Sequence, residues 1–276
     1  GKARTRYMPA EMGGAEAFIK TYEETLAMVK EVEQLTINPT DYAYEITKTG
    51  KRDDSVENDR IHRQKQEGLY YVEYHPVGGD ANVEHLLAAL DYAVSLDQVE
   101  ARIAPDQAMF FINLTADEAR KIAELTDDSA ENDFRRSVSC VGSTVCQIGM
   151  QDSNGLLKDI FAHLEEKGVD TRKLPRLHIS GCPHSCGTHQ IGEIGFHGAV
   201  KLVDKKPTVA FILVDGGSEH MGSENFGKMA GNIVATKIPE FLETLANILN
   251  ESSEPDFGTW RLTHKAEYME LIKAFE

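Results

Sequence analysis

The residues best suited to chemistry in this chain are its four cysteines, which occur as two pairs. Cys140 and Cys146 enclose five residues, and Cys182 and Cys186 enclose three. Glycine, serine and proline are common around both pairs, and this composition predicts loops. Thiolates gathered in loops are typical ligands of zinc, copper(I) or iron–sulfur clusters. The pattern therefore predicts a metal centre built from both pairs.

The two spacings help to distinguish between these metals. Structural zinc sites usually place about two to four residues between neighbouring ligands. The Cys182–Cys186 spacing falls within that range, whereas the Cys140–Cys146 spacing falls outside it. A cubane cluster is larger than one ion and takes thiolates from well-separated directions. A [4Fe–4S] cluster is therefore favoured, with a zinc site and four unlinked thiols as alternatives.

The charge and composition of the chain limit its partners and its compartment. The 276 residues carry a formal net charge of -16, which argues against binding to nucleic acid or to an anionic membrane surface. No apolar run approaches the roughly 20 residues that span a bilayer. A chain long enough to bury a core does not need disulfides, so we expect reduced cysteines and a cytoplasmic protein.

Residues 60–130 are predicted to form a ferredoxin-like α+β sandwich, because strand and helix patterns alternate there. The strands are expected at Leu69–His75, Val99–Ala104 and Met109–Leu114. A helix capped by Asn82 should follow the first strand, and a helix capped by Thr115 should follow the third. Glu118, three residues after Thr115, predicts a capping box.

Residues 131–250 are predicted to form a mixed α/β module that carries all four cysteines. Its expected elements are helices at Leu156–Lys167 and Pro239–Leu249 and strands at Arg176–Ile179, Ile194–Val203 and Thr208–Val214. We expect residues 1–59 to be a linker with an amphipathic helix over Gly14–Leu35. Residues 251–276 should be a helical tail ending in a helix over Lys265–Phe275.

The cysteine motif resembles the signature of the nitrite and sulfite reductases that depend on sirohaem and a [4Fe–4S] cluster. Stretches along most of the chain share this resemblance: Cys140-x5-Cys146, Gly181-Cys182-Pro183-x-Ser185-Cys186-Gly187, Ile191–Gly198, Phe211–Gly217, Gln64–Tyr70, Arg102–Asn113 and Lys2–Tyr7. The last of these is similar to the linker between the two halves of the family. His184 departs from the motif, because the family usually carries asparagine there.

The resemblance implies a ligand set and a reaction. All four cysteines would hold the cluster, and Cys186 would also bridge to the sirohaem iron. Gly142, Gly181 and Gly187 would let backbone N–H groups approach the sulfurs. The implied reaction is the six-electron reduction of nitrite to ammonia or of sulfite to sulfide.

The resemblance covers the C-terminal one of two pseudo-symmetric halves, so it implies missing parts. The catalytic arginines and lysines that bind the anion are expected from an N-terminal half-domain or a second copy. The electron donor would be a ferredoxin-like or NAD(P)H-linked protein. Five basic residues of this half are candidates to bind the sirohaem carboxylates, although each could equally be an ordinary surface charge: Arg60, Arg63, Lys65, Arg102 and Lys201.

Two further interpretations remain open at this point. The chain could be a single-half sirohaem reductase that rebuilds its site by dimerising. It could also be a zinc-stabilised interaction module without catalysis. The histidines near the cysteines, His178, His184, His189 and His197, are expected to support the site or lie at the surface, because four thiolates already complete a cluster.

Overall fold

The computed structural model describes residues 5–36, 38, 45–56 and 58–276, and it divides into two compact units between Thr47 and Lys48. The first unit contains α1 (Met8–Glu11) and α2 (Ala15–Val32), and no residue of α2 is buried. The predicted linker resemblance at Lys2–Tyr7 lies outside the described residues for its first three positions. Among the described helices, none has both the length and the apolar character needed to cross a bilayer.

The second unit contains two sheets with helices against them. Its strands are β1 (Ile61–Arg63), β2 (Tyr70–Tyr74), β3 (Glu100–Ile103), β4 (Met109–Leu114), β5 (Val138–Ser139), β6 (Leu177–Ser180), β7 (Ile194–Val203), β8 (Lys206–Asp215) and β9 (Lys228–Val234). Its helices are α3 (Val83–Val94), α4 (Ala116–Leu125), α5 (Ser153–Glu166), α6 (Ile238–Glu251), α7 (Phe257–Thr263) and α8 (Lys265–Phe275). Two hydrophobic clusters, one for each sheet, form its core.

The first sheet confirms the ferredoxin-like architecture. Its four antiparallel strands have the order β1-β2-β4-β3. Tyr70, Val72 and Phe111 project from one face into a cluster shared with apolar residues of α3 and α4. The edge strand next to β2 is β1, which comes before β2 in the chain. The prediction did not include β1, because its first strand was β2. A strand of three residues with two basic side chains has too little apolar pattern to be predicted.

Both predicted helix starts in this module are confirmed. The Asn82 side chain accepts hydrogen bonds from the backbone N–H groups of Glu84 and His85, at 3.0 and 3.4 Å. The Thr115 and Glu118 side chains each accept a hydrogen bond from the other residue's backbone N–H. These caps satisfy backbone donors that a helix cannot satisfy internally, so they fix where α3 and α4 begin.

The second sheet places the two cysteine pairs at one edge. Its strand order is β5-β6-β7-β8-β9; β5, β6 and β7 are parallel, and β8 and β9 are antiparallel to their neighbours. Because β5 and β6 are adjacent and parallel, their carboxyl ends lie side by side. β5 ends at Ser139, directly before Cys140, and β6 ends at Ser180, two residues before Cys182. Strand pairing therefore brings together segments that are far apart in the chain.

A partly buried ion pair attaches α7 to the end of β8. Arg261 donates hydrogen bonds from Nε and Nη2 to the two carboxylate oxygens of Asp215, whose residue is only 9% exposed. Removing one partner of such a pair leaves the other charge uncompensated. We expect Arg261→Ala to lower the free energy of unfolding by about 3 kcal/mol, measured by urea denaturation.

The exposed pair of Arg172 and Asp170 provides the matched control. Their side chains are 79% and 42% exposed, so water solvates both charges whether or not they are paired. Arg172→Ala should leave the midpoint of urea unfolding nearly unchanged. Similar losses in the two variants would show that burial of the Arg261 pair does not matter.

Candidate metal centre

Backbone hydrogen bonds directly join the two cysteine loops, which are residues 140–152 after β5 and residues 181–193 after β6. The N–H of Cys140 donates to the carbonyl of Ile179 at 3.0 Å, which continues the pairing of β5 with β6 by one residue. Farther along the first loop, Met150 and Gln151 both donate their N–H groups to the carbonyl of Gly181, at 3.1 and 2.9 Å. The segment after Cys140 thus returns to the residue immediately before Cys182.

The sulfur of Cys140 lies between two hydrogen-bonding groups. The N–H of Gly181 donates to Cys140 Sγ at 3.1 Å, and the Oγ of Ser153 lies 3.1 Å from the same sulfur. Ser153 Oγ also donates to the Cys140 carbonyl at 2.8 Å. Since Ser153 is the first residue of α5, these contacts fix the first thiol against the N-terminal end of that helix.

Two glycines allow this close packing of backbone on backbone. A Cβ atom on Gly187 would lie 2.0 Å from the Ile179 carbonyl oxygen and 3.2 Å from the Cys140 nitrogen. A Cβ atom on Gly198, in β7, would lie 2.1 Å from the Gly181 carbonyl oxygen. Any larger residue at either position would push the loops apart.

The predicted role of glycines as donors to sulfur is observed at Gly181. The N–H of Gly187 donates instead to Ser180 Oγ at 3.0 Å, and Gly142 accepts a hydrogen bond from the N–H of Cys146 through its carbonyl, at 2.8 Å. Gly142 has φ +65°, which explains the tight turn between the first two cysteines.

The four thiols differ in their access to solvent. Cys182 is buried, Cys140 and Cys146 are half-buried, Cys186 is exposed, and all four are free of disulfides. Free thiols are the donor set that iron–sulfur clusters take. Cys186 is therefore the cysteine most open to approach by a second group.

The separation of the thiols argues against a single zinc ion. Four thiolates at about 2.3 Å from one tetrahedral zinc ion would stand about 3.8 Å apart. Within the part of the chain that the structure describes, the one group of three potential ligand atoms lying within 4.8 Å of each other is His85, Asp127 and Asp128, and it contains no cysteine. Among the described residues, no three of the four sulfurs lie that close together, and four free thiols are the donor set of a [4Fe–4S] group, so the residues fit a cluster better than one zinc ion.

Two of the predicted supporting histidines are linked to the second loop. His189 Nδ1 shares a hydrogen bond with Ser180 Oγ at 2.9 Å, and the same hydroxyl accepts the Gly187 N–H. The His189 ring lies 4.8 Å from the His197 ring, and both histidines are buried. These side chains hold the loop after β6 in place, which agrees with a supporting role.

His178 should make the stability of the protein depend on pH. It is 2% exposed, and its Nδ1 shares a hydrogen bond with Thr188 Oγ1 at 2.8 Å. Burial, together with the positive charge of Arg176, lowers the pKa of His178 from 6.5 to about 4. Above pH 6.5 the ring is neutral in both states; below that pH the unfolded chain takes up a proton that the folded chain does not.

We therefore expect the contribution of His178 to be complete above pH 6.5 and to be lost as the pH falls toward 4. The free energy of unfolding should drop by about 2 kcal/mol more between pH 7 and pH 5 than in a His178→Asn variant. Urea denaturation at both pH values measures this difference. Parallel pH dependence of the two proteins would contradict the assignment.

The basic residues predicted for the sirohaem carboxylates are spread over the unit. Arg60 is engaged by the end of α4, because its guanidinium donates to Thr126 Oγ1 and to the carbonyls of Ala123 and Thr126, at 2.7 to 3.0 Å. Lys201 donates to the carbonyl of Asn232 at 2.8 Å. Both side chains therefore have structural partners.

The other three candidates are exposed at the first sheet. Arg63 pairs with Asp54 at 2.6 Å, and Arg102 bonds to Glu100 at 2.9 Å. Arg63 and Arg102 lie on β1 and β3, the opposite edge strands, while Lys65 lies in the connection after β1. The structure thus brings the cysteine loops together and leaves these basic residues apart.

Sequence reasoning missed Ser153 as a residue of the site. The prediction began α5 at Leu156, whereas the helix starts at Ser153 with Asp152 as its cap, accepting the Gly155 N–H at 2.9 Å. The available signal was the Asp-Ser pair three residues before an apolar run, a typical helix start. It could have located the start of α5, but not the contact with Cys140.

Comparisons with known proteins agree with the cysteine motif. The chain is 28% identical over 190 residues to a ferredoxin–nitrite reductase of Synechococcus elongatus, which covers 67% of this chain and 37% of that protein. It is 27% identical over 124 residues to the haemoprotein β-component of an NADPH sulfite reductase of Bacillus licheniformis, covering 41% and 22%. The chain thus spans well under half the length of these relatives.

Solved structures share the fold. The Mycobacterium tuberculosis NirA protein matches with a TM-score of 0.61 at 20% identity, over 77% of this chain and 41% of that chain. A dissimilatory sulfite reductase, DsrI, matches with a TM-score of 0.52 at 9% identity, over 74% and 69%. Residues 130–271, just over half of the chain, match the family model described as the nitrite and sulphite reductase 4Fe–4S domain. The chain therefore belongs to this family, and membership implies a [4Fe–4S] cluster and sirohaem as its cofactors.

Proposed function

We propose that this chain is the cluster-binding half of a nitrite or sulfite reductase. Cys140, Cys146, Cys182 and Cys186 would hold the cluster, and Cys186, the exposed one, would also serve the sirohaem. The observation that carries the proposal is the hydrogen-bonded junction of the two cysteine loops at the ends of β5 and β6. When bound, the two cofactors supply electrons and an iron site for the oxyanion that is reduced.

The chain itself supplies a closely packed frame for this chemistry. Cys182 is buried, Gly187 and Gly198 pack backbone against backbone beside the cysteines, and Cys186 is exposed. The Gly181 N–H stabilises negative charge on the Cys140 sulfur. The backbone contacts bring the segments that carry the thiols together without using the sulfurs.

Other parts of the complete site would come from outside this chain. We propose that the arginines and lysines that hold nitrite or sulfite belong to an N-terminal half-domain or to a second copy. Arg63, Lys65 and Arg102 remain candidates for the sirohaem carboxylates; Arg60 and Lys201 are less available because both donate to backbone carbonyls. The names of the relatives support a ferredoxin or an NADPH-linked protein as electron donor.

Iron and sulfide content, with the visible absorption spectrum, tests the proposal on anaerobically purified chain. About four iron and four sulfide per chain, with a broad cluster band, is the expected result. Additional haem bands together with a dimer in sedimentation would favour the single-half reductase. A colourless protein containing zinc would overturn the proposal in favour of a zinc-stabilised module.

A further inference from the structure

The hydroxyl of Ser153 lies at the centre without belonging to the cysteine motif. Ser153 is fully buried at the first position of α5. Its Oγ is 3.1 Å from Cys140 Sγ and 2.8 Å from the Cys140 carbonyl oxygen. The sulfur of Cys140 thus has two hydrogen-bonding neighbours: Ser153 Oγ and the N–H of Gly181.

A serine hydroxyl has one hydrogen to donate and lone pairs to accept. With Cys140 as a thiol, both contacts are satisfied if Ser153 donates to the carbonyl and accepts from the S–H group. A metal-bound thiolate has no hydrogen, so the lone pairs of Ser153 would then face a negative sulfur. Rotation of the O–H group toward the sulfur removes this repulsion and forms a charge-assisted hydrogen bond.

A donor at a ligand sulfur favours the reduced state of an iron–sulfur cluster. Reduction adds one negative charge, and a hydrogen bond to the thiolate stabilises the more negative state more strongly. The N-terminal end of α5 acts in the same direction, because its partial positive charge lies beside the same sulfur. Both effects raise the reduction potential.

We propose that Ser153 is a positioning residue that raises the reduction potential of the cluster by donating its hydroxyl hydrogen to the sulfur of Cys140. This inference rests on the proposed function, because it requires a cluster on the four cysteines. It extends the site beyond the cysteines to the start of α5, and it concerns the energy of electron transfer.

The test is a redox titration of the cluster, followed by electron paramagnetic resonance, in the full chain loaded with iron and sulfide. In Ser153→Ala, the equilibrium constant for one-electron reduction should fall about tenfold, which corresponds to a potential lower by about 59 mV. Ser153→Thr keeps the hydroxyl and should restore most of the difference.

Ser139→Ala is the matched control. Ser139 is also a buried serine beside Cys140, 2% exposed, but its hydroxyl accepts from Asn154 Nδ2 at 3.3 Å. We expect the potential of this variant to equal that of the wild-type chain. Equal potentials for the wild type and Ser153→Ala would overturn the inference, as would equal decreases in Ser153→Ala and Ser139→Ala.

The outcomes separate this inference from the proposed function. A wild-type chain that takes up no cluster overturns both, whereas a loaded chain with an unchanged potential in Ser153→Ala overturns the inference alone. If the alanine variant does not fold, Ser153→Gly, which also removes the hydroxyl but keeps the Gly181 N–H at the same sulfur, is titrated in its place. A potential below that of the wild type and of Ser153→Thr supports the hydrogen bond, and a potential equal to theirs overturns it.

Discussion

Replacing Cys182 by serine should abolish stable cluster binding. Cys182 is the most buried of the four thiols, and it follows Gly181, the residue to which Met150 and Gln151 attach the first loop. A serine hydroxyl is a much harder ligand than a thiolate and is not deprotonated at neutral pH. Iron per chain should fall from about four to below about one, measured on anaerobically purified protein with its absorption spectrum.

Thr144→Ala is the control for this substitution. Thr144 lies in the other cysteine loop, is exposed, and donates its hydroxyl to the Val141 carbonyl at 3.2 Å. Its iron content should match that of the wild type. Full iron content in Cys182→Ser would refute the four-cysteine ligand set.

Replacing Gly187 by alanine should remove both the cluster and much of the stability. The added methyl group would overlap the Ile179 carbonyl oxygen, 2.0 Å away, and the atoms it meets belong to the backbone and not to a flexible side chain. Because Ile179 O accepts the Cys140 N–H, the displacement would break the contact between the loops. We expect a loss of about 4 kcal/mol or more in the free energy of unfolding.

Gly168→Ala separates this clash from ordinary glycine effects. Gly168 follows α5 with φ +63°, and no atom lies within 4 Å of the position of an added Cβ. Gly168→Ala should lower the free energy of unfolding by about 1 kcal/mol, from backbone strain alone. Thermal and urea unfolding of both variants, with iron analysis, measures the difference. Comparable stability of the two variants would mean that the loops can separate without penalty.

Long, patterned elements could be predicted from the sequence, and short or irregular ones could not. Met109–Leu114 and Ile194–Val203 were predicted with the bounds that the structure gives, because both are rich in apolar, aromatic and β-branched residues. β9 (Lys228–Val234) was missed. Gly231 and Asn232 lie within it, and both residue types disfavour strands.

The residues of β9 have a low intrinsic strand propensity, and tertiary packing against α8 stabilises this strand instead. A Cβ atom on Gly231 would lie 2.5 Å from a methyl carbon of Ile272 in α8, so glycine is needed for this close approach. At the metal site, too, contacts that depend on tertiary packing could not be predicted from local sequence patterns. Spacing alone paired the cysteines, but the contacts of Ser153 and Gly187 depend on how β5, β6 and α5 meet, which no local pattern encodes.

The pairing of β5 with β6 also has a consequence for the order of assembly. Two residue pairs of this short parallel ladder, Val138 with His178 and Ser139 with Ile179, connect the loops by hydrogen bonds that involve no sulfur. In small zinc domains, by contrast, metal coordination itself drives folding. Here the pairing of β5 with β6 joins the two cysteine-bearing segments without a metal ion. We therefore expect the two cysteine segments to be joined before iron and sulfide are delivered.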